Sequence, residues 1–545
     1  MRRFVFAAAI VALLGFATTG SAVGDKTKAG LVKSGFYDFF DVTDEFGFGV
    51  GKIGKLDCTV GVTTQPAAYA GNRLIDCDGE VPHNETSIAV DPNNPNHAVG
   101  VYHSYQLVQT GGKLHVHIVG TPSVTFDGGN TWREVGTPIT PYQFTGDPAV
   151  AFDSTGKLYF ANIADHEGQG GANFTGPSVV VASSSDGGLT WTNPVTVAKG
   201  QGNAGSNGQL VFQDKQYLTA DSNSASPFKN RVYVSWSSFQ ISKTSFRVPI
   251  MFSRSDNGTS WSKGIEISGF NPACSAALFG APNECDLNQF SYPTAAPNGT
   301  VYVGFQNFNT PAENQYMVVK STNGGASFSN PVRVDTISDI NLPTNVDGRN
   351  TLTGCQLRWS APGNIAADPS DATGNTVYAV WADNRNGTSS ATNTDVFLAR
   401  STNGGSSWTV FNIDSAANDQ FYPWVDVSNS GRVDIGYMDR SYQPEVQGAA
   451  CKYGFSLRRI TFPGGVFTPT PKVQVDTGLS NPGKSRWFSG TTAGNSRFIG
   501  DYNGIAIGSD GKTWSLWTDQ RADASNAIPP NQLKGQHAVA AITAP

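Results

Sequence analysis

One eight-residue pattern recurs along this chain and constrains its fold more than any other feature. Five copies occur, at 125–132, 184–191, 254–261, 321–328 and 401–408. The third copy has Arg254 in place of the leading hydroxyl residue, and the last two have Asn in place of Asp. Asp or Asn followed by Gly-Gly, or Asn-Gly alone, predicts a tight hairpin turn with positive φ. Five such turns, flanked by apolar alternation, predict an array of similar β units.

The residue types of the octet indicate a structural role. The Asp or Asn side chain can accept backbone N–H groups of its own turn, and the closing Trp or Phe offers a large apolar face for burial. We therefore expect replacement of Asp127 or Asp186 to lower stability and to leave any chemistry intact.

A second recurring segment gives the number of units. Segments resembling Val-Tyr-Val-x-Trp occur at 98–102, 158–161, 232–236, 301–305, 377–381, 433–437 and 514–517. Seven such strands predict an all-β chain that folds as a single β-propeller of seven four-stranded blades, with six blades as the rival count. The last unit ends at its third strand, 537–542, so the N-terminal region should supply the missing fourth strand and close the ring. The candidate is 56–62.

The chain divides into three parts. Residues 1–22 have two arginines, an apolar run and small residues at 20–22, which predicts a cleaved secretory signal. Residues 23–80 form an N-terminal segment with the closing strand, and residues 81–545 form the propeller. The apolar run is shorter than the roughly 20 residues that span a bilayer, so we expect a secreted or periplasmic protein with no membrane partner.

Six cysteines in an exported chain predict three disulfides. Proximity in sequence suggests Cys58–Cys77 and Cys274–Cys285. Cys355–Cys451 remains as a long-range pair. None of the six has the spacing of a zinc site.

The charge balance excludes some partners. The net charge is −6, from 37 Lys and Arg against 43 Asp and Glu, and no basic cluster is present. This balance argues against nucleic acid and against an anionic membrane. We expect a monomer that acts on a small polar or charged solute, such as a glycan.

The octets and the segment 84–92, NETSIAVDP, resemble those of the bacterial secreted sialidase-like Asp-box (BNR-repeat) β-propeller family. The resemblance covers roughly residues 81–545. It implies a propeller fold, and it leaves activity open, because such propellers include sialidases, other glycosidases and binding proteins.

The working face should lie opposite the octets. Octets between strands three and four all fall on one face, so first-strand starts and second-strand exits share the other. Aligned first strands place one group of residues around the channel there, namely Glu85, Asp147, Lys215, Tyr292, Tyr422 and Tyr502. Carboxylates, a lysine and phenols around one opening suit acid, base and nucleophile roles. Alternatively, they are merely polar residues at strand starts.

The resemblance implies roles for some of these residues. Sialidases of the family use an Asp acid/base, a Tyr nucleophile paired with Glu, and three arginines on the substrate carboxylate. Asp147, Glu85 and either Tyr502 or Tyr422 are the nearest candidates for catalysis. The family's Arg-Ile/Val-Pro motif opens the first blade, whereas the only such triplet here, at 247–249, leads into a third strand of unit three. The arginine triad is therefore not carried over.

Arginines nevertheless follow several second strands. Arg385, Arg440 and Arg521 occupy comparable exits, and Arg358 is a further candidate for substrate binding, as is His103. Guanidinium groups bind carboxylates bidentately. The alternative is that each arginine pairs locally with the Asp that precedes it.

The sequence thus favours a sialidase-like exo-glycoside hydrolase that acts on a carboxylate-bearing sugar. A polysaccharide lyase on a uronate polymer is an alternative, for which His83, His103 and Tyr105 are candidates. A non-catalytic glycan- or protein-binding propeller is another. No cofactor and no metal site is predicted; acidic channel residues could hold Ca²⁺, but no contiguous oxygen-ligand loop is present.

Overall fold

The computed structural model describes residues 69–545 except for 77–81, 111–112, 143, 167–175, 202–209, 243–244, 275–282, 309–313, 340–341, 344–349, 355, 361–362, 444, 446–449, 483–497 and 522–535. The predicted signal at 1–22 and the candidate closing strand at 56–62 lie outside these residues. Cys58, Cys77 and Cys355 lie outside them as well.

Seven antiparallel four-stranded sheets follow one another along the chain, and we call them blades 1 to 7. Blade 1 comprises His83–Asp91, Asn94–Thr110, Lys113–Thr125 and Arg133–Glu134. Blade 2 comprises Phe144–Phe152, Leu158–Asp165, Ser178–Ser184 and Val195–Ala198. Blade 3 comprises Leu210–Ala220, Val232–Ile241, Ile250–Ser255 and Ile265–Glu266, with Phe246–Arg247 added to its second strand. Blade 4 comprises Asn288–Ala295, Val301–Asn307, Asn314–Ser321 and Val332–Ile337.

The remaining blades have the same order. Blade 5 comprises Ile365–Ala367, Val377–Asp383, Asp395–Ser401 and Thr409–Asp414. A two-stranded hairpin, Thr351–Leu352 with Leu357–Arg358, precedes it. Blade 6 comprises Gln420–Val427, Val433–Asp439, Gly454–Thr461 and Thr468–Pro469, with a 3₁₀ turn at Pro463–Gly465 and with Val473–Gln474 also paired to its third strand. Blade 7 comprises Gly504–Ile507, Thr513–Asp519, His537–Thr543 and Arg73–Leu74.

The blades form a closed ring around a central channel. The first strands of consecutive blades contact one another, and the first strand of blade 7 contacts that of blade 1. This arrangement confirms the predicted propeller of seven blades and makes the rival count of six wrong.

The N-terminal segment closes the ring, as predicted, but not with the strand we expected. Arg73 pairs with Ala540 and Leu74 with Val539, so Arg73–Leu74 takes the outer position in blade 7 that was assigned to 56–62. Asp76 extends this contact, since it accepts the backbone N–H of Ala538 at 2.6 Å. The two ends of the described chain therefore share one sheet.

The octets are the turns between third and fourth strands. In the copy at 184–191, Asp186 accepts the N–H of Thr190 at 2.9 Å and its hydroxyl at 2.6 Å, and Ser184 accepts the N–H of Gly188. The third copy is registered one residue later than predicted, because Ser255 and Asn257 make the equivalent bonds. The leading hydroxyl is therefore present there, and Arg254 does not replace it.

Aromatic side chains from the first strands of blades 3, 4 and 6, and from the segment just before the first strand of blade 7, meet in the channel. The rings of Tyr217, Tyr292 and Trp424 lie 5.0–5.1 Å apart between centroids, and Tyr502 lies 6.3 Å from both Tyr217 and Trp424. Edge-to-face and tilted contacts of this kind stabilise aromatic clusters. These rings form the floor beneath the candidate site, and we refer to them as the aromatic floor.

The described cysteines agree with a disulfide-bonded chain. Cys274 and Cys285 form the predicted bond, with an S–S distance of 2.09 Å. Cys451 is also disulfide-bonded, and its predicted partner Cys355 is not among the described residues. The pairings that involve 58, 77 and 355 stay predictions. A search of the described residues finds no helix that could cross a membrane.

Candidate functional site at the channel mouth

The first strands of five blades carry the same β-bulge, near the end opposite the octets. In each, the register with the second strand slips by one residue. The first bulged residue has positive φ, of 47–56°, although it is never glycine; these residues are Glu85, Asp147, Lys215, Phe290 and Tyr422. This conformation costs an L-residue roughly 1–2 kcal/mol. Strain repeated at one structural position points to a function, because bulges re-aim side chains beside active sites.

Three of the five strained residues carry charges, and these charges meet. The ammonium group of Lys215 lies 3.1 Å from Oε1 of Glu85 and 3.5 Å from the carboxylate of Asp147. The side chains of Glu85 and Asp147 are almost completely buried. Three adjacent blades thus place two carboxyl groups and one lysine in one buried cluster, which we call the charge cluster.

A third carboxylate, from beside blade 7, and a second cation, from the hairpin before blade 5, complete the charge cluster. Asp501, which enters blade 7, lies 2.9 Å from Lys215 and 3.2 Å from Nη2 of Arg358. Ser360 donates its hydroxyl to Asp501 at 3.1 Å. The hairpin before blade 5 delivers Arg358, whose guanidinium also stacks on the ring of Phe498 at 4.7 Å.

Close backbone contact fixes blade 7 against blade 1 at this point. Gly500 has φ +91°, and a Cβ atom there would lie 2.6 Å from the backbone nitrogen of Glu85. The next residue, Asp501, donates its N–H to Oε1 of Glu85 at 3.2 Å. A side chain at position 500 would therefore displace Glu85.

The two bulge carboxyls have opposite acid strengths. Burial, together with the nearby charges of Asp147 and Asp501, raises the pKa of Glu85 well above its usual range despite Lys215. Burial also acts on Asp147, but Lys215 and His103 outweigh it and hold the pKa of Asp147 below its usual value. Glu85 therefore keeps its proton at a pH where Asp147 is ionised. Oε2 of Glu85 has no hydrogen-bond partner among the described residues.

Three further groups at the site, Asp501, Lys215 and Asp214, have shifted pKa values. Burial opposes the ionisation of Asp501, but Arg358 and Lys215 hold its pKa far below the usual range. Burial also opposes the charge on Lys215, yet Asp147, Asp501 and Glu85 raise its pKa well above the usual value. Burial beside Asp147 raises the pKa of Asp214 to about 7.

The geometry does not fit a metal ion. One ligand atom each from Glu85, His103 and Asp147 lie within 4.8 Å of one another, which is a spacing that could hold a cation. However, Nζ of Lys215 already lies against both carboxyl groups, and Nε2 of His103 accepts the N–H of Asp147 at 2.6 Å. An ammonium group takes the place that a cation such as Ca²⁺ would need.

The phenols predicted for the site are buried and hydrogen-bonded to main-chain carbonyls. Tyr422 donates its hydroxyl to the carbonyl of Arg358 at 2.7 Å, and Tyr502 donates to that of Pro148 at 3.2 Å. Burial raises the pKa of both phenols. Tyr292 belongs to the aromatic floor. The structure thus brings these tyrosines close to the charge cluster without a contact that would deprotonate them.

The other three predicted arginines form ion pairs away from the charge cluster, Arg385 and Arg521 with the preceding Asp and Arg440 with a more distant one. Arg385 contacts Asp383 at 2.6 Å, Arg521 contacts Asp519 at 2.7 Å, and the fully buried Arg440 contacts Asp419 at 2.9 Å. Of the four predicted arginines, only Arg358 has an ion pair with the charge cluster among the described residues. A substrate role for the other three stays a prediction.

The sequence predicted Lys215 as part of the channel ring but gave it no individual role, and Asp501 was missed. The positive φ of Lys215 could not be predicted, because this conformation is ordinarily predicted at glycine and position 215 is a lysine. Asp501 directly precedes the predicted Tyr502, so the same strand alignment could have found it. Fold and site together define a seven-bladed β-propeller with a buried charge cluster at one mouth of its channel.

No protein-family profile matches this chain, and no curated protein matches it. Solved structures with a similar fold include a protein of unknown function from Dyadobacter fermentans, at 13% identity and TM-score 0.43, over 69% of this chain and 95% of that one. The intramolecular trans-sialidase from Ruminococcus gnavus is 12% identical with TM-score 0.40, over 88% and 98%. A polysaccharide lyase, an ulvan lyase, is 10% identical with TM-score 0.39, over 71% and 81%. Similarity this low carries no information on activity.

Proposed function

We propose that this propeller is a sialidase-like exo-glycoside hydrolase that acts on a carboxylate-bearing sugar at the charge cluster. The observation that carries the proposal is the pair of carboxyl groups at the bulges of Glu85 and Asp147. One oxygen of each lies within 4.8 Å of the other, and their pKa values are shifted in opposite directions. Two carboxyl groups with acid strengths driven apart by their surroundings are the machinery of glycoside hydrolysis.

The protonated member acts as the acid. Glu85 gives its proton to the glycosidic oxygen while the bond from that oxygen to the anomeric carbon breaks. The ionised Asp147 faces the anomeric carbon and bonds to it. Water then replaces Asp147 at that carbon and returns a proton to Glu85. Ligand atoms of the two groups lie within 4.8 Å of each other, which is below the roughly 6.5–9.5 Å of inverting enzymes, so we expect hydrolysis with retention.

This proposal departs from the resemblance in two roles: the acid is Glu85 rather than an Asp, and the nucleophile is Asp147 rather than a tyrosine. The hydroxyls of Tyr422 and Tyr502 donate to main-chain carbonyls. The carboxylate of Asp147 is ionised and lies at the strained bulge, which supports it in this role.

The substrate carboxylate would bind Arg358. Among the cluster residues in ion pairs, its side chain is the most exposed, at 22% against 12% for Lys215 and 0% for Asp501. Asp501 accepts from Nη2 of this guanidinium, and its other donors have no hydrogen bond to the described residues, so they can serve a planar carboxylate.

The test begins with a screen of the purified mature protein against sialosides, neutral aryl glycosides and uronate polysaccharides, with absorbance detection of unsaturated products. Glu85→Gln and Asp147→Asn should each reduce turnover by about 10²–10⁴-fold. Asp186→Asn is the matched control, because it also replaces a carboxylate but on the opposite face. It should keep full turnover. Folding of each variant is checked first by circular dichroism.

The outcomes separate the candidate functions. If both cluster variants keep wild-type turnover of the glycoside that the screen identifies, the proposal fails. Binding of glycans without any product would instead favour a binding propeller. Unsaturated products from a uronate polymer would favour a lyase.

A further inference from the structure

His103 is a buried histidine whose two ring nitrogens both contact the machinery around the bulges. We propose that His103 is a positioning residue: its Nε2 lone pair holds the backbone N–H of Asp147 in the bulge and so aims the Asp147 carboxylate at the charge cluster. This inference rests on the proposed function, because it assigns His103 a role in aiming a catalytic group.

The bulge creates the need for such a contact. Residues 147 and 148 have no ladder partners, because the register jumps from Gly146 to Ala149. The N–H of Asp147 donates instead to Nε2 of His103 at 2.6 Å. Gly146 makes room for the ring, since a Cβ atom there would lie 3.3 Å from Nε2. The contact compensates a buried donor at the residue whose φ is strained.

The other ring nitrogen fixes the tautomer. Because Nε2 accepts a hydrogen bond, the proton must lie on Nδ1, which donates to Oδ1 of Asn84 at 3.2 Å. Asn84 in turn donates to Oε1 of Gln536 at 2.9 Å. A chain of three hydrogen bonds therefore runs from Gln536 beside blade 7, through blade 1, to the bulge of blade 2. Such second contacts set which nitrogen of an imidazole carries its proton.

The same geometry argues against His103 as an acid, a base or a substrate ligand. Its lone pair is engaged by the main chain. The distances from Nε2 to the carboxyl oxygens of Glu85 and Asp147 are 3.5 and 3.7 Å, which is longer than a hydrogen bond. Burial, with Lys215 nearby, lowers the pKa of His103 to about 4, so the ring is neutral at the pH of most assays.

The first test does not depend on turnover. Wild-type protein labelled with ¹⁵N-histidine is examined by two-bond ¹H–¹⁵N spectra from pH 5 to pH 8, and the His103 signals are assigned by their loss in His103→Gln. We expect a neutral ring with the proton on Nδ1 throughout. A proton on Nε2, or an imidazolium at pH 7, would overturn the proposal.

The second test compares three variants on the substrate identified above. His103→Leu removes the acceptor and should lower kcat by about 10–100-fold, the usual consequence of a misplaced reacting group, with KM nearly unchanged. His103→Gln offers an amide oxygen to the same N–H and should recover most of that loss. His97→Leu is the matched control, because His97 is buried in the same strand but contacts Asp91 and the carbonyl of Gly187 on the octet face.

The two tests separate the two proposals. A folded His103→Leu protein with wild-type kcat would refute the positioning role while leaving Glu85 and Asp147 in place. If His103→Leu does not fold, the Gln variant and the spectra still decide. Failure of the proposed function would show in Glu85→Gln and Asp147→Asn, whatever the tautomer of His103.

Discussion

The ammonium group of Lys215 lies 2.9 Å from Oδ2 of Asp501, which joins blade 3 to blade 7 across the mouth of the channel. The same ammonium contacts Glu85 and Asp147. One lysine thus contacts carboxyl groups from three blades and balances the charges of Asp147 and Asp501, so its loss should lower stability.

Lys215→Met tests this expectation. It removes the cation and leaves the carboxyl groups buried together, so the free energy of unfolding should fall by about 3–5 kcal/mol at pH 7. Urea unfolding followed by tryptophan fluorescence measures it. Lys512→Met is the control, because Lys512 is exposed and its one ion pair among the described residues is with Asp510; it should lose less than about 1 kcal/mol. Equal losses in the two variants would mean that Lys215 is no more than a surface cation.

Arg358→Gln tests carboxylate recognition. Affinity for a carboxylate-bearing glycan should fall about ten- to a hundred-fold, because a charge-assisted pair is worth roughly 1.5–3 kcal/mol. Affinity for the same glycan with its carboxylate reduced to an alcohol should change little. Isothermal titration calorimetry compares the two ligands, with Arg432→Gln on the opposite face as control. Equal loss for both ligands would show that Arg358 supports the site without reading the charge.

The neutral state of His103 predicts a pH dependence of stability. Its pKa is about 4 in the folded protein and about 6.5 when unfolded, so between these values the unfolded chain binds the extra proton. The free energy of unfolding should therefore fall as pH falls from 6.5 to 4, by up to about 3 kcal/mol from this residue. Glu85, Asp147, Asp501, Lys215 and Tyr105 face the ring and titrate too, so the measurement is the difference between wild type and His103→Gln. Parallel pH curves for the two proteins would contradict the prediction.

We expect substitutions in the octets to lower stability and to leave turnover unchanged. Asp186→Ala removes the acceptor of the Thr190 N–H and hydroxyl and of the Ser184 hydroxyl. The turn is exposed, so the expected loss is only about 1 kcal/mol. Thermal unfolding and a glycosidase assay of the same preparation check both halves of the prediction. A loss of turnover without a loss of stability would place function on the octet face.

The fold could be predicted because its signals repeat. Seven second strands and five octets report the same unit many times, so an error in any one copy, such as the register around Arg254, does not change the result. The closing strand has no repeat to support it. Only two residues of this strand pair, Arg73 and Leu74. Two residues are too few to show the alternation of apolar and polar side chains that predicts a strand.

The site was only partly predictable, for a physical reason. Strand alignment places Glu85 and Asp147 at the mouth. It does not predict their positive φ, because this conformation is ordinarily predicted at Gly or Asn and the bulges have charged and aromatic residues instead. Arg358 comes from a hairpin outside the blade repeat, so no alignment of blades could bring it to Asp501. Contacts between non-equivalent parts of the ring emerge only in three dimensions.

The aromatic floor determines how any substrate must travel. Rings from blades 3, 4, 6 and 7 contact one another in the channel, and the ammonium group of Lys215 lies 5.8 Å from the ring centroid of Tyr502, so we expect the rings to stop a polymer from threading from one face to the other. Whatever enters at the charged mouth must leave by the same mouth. If the propeller is the exo-hydrolase proposed above, it should therefore release single sugars from the ends of glycan chains.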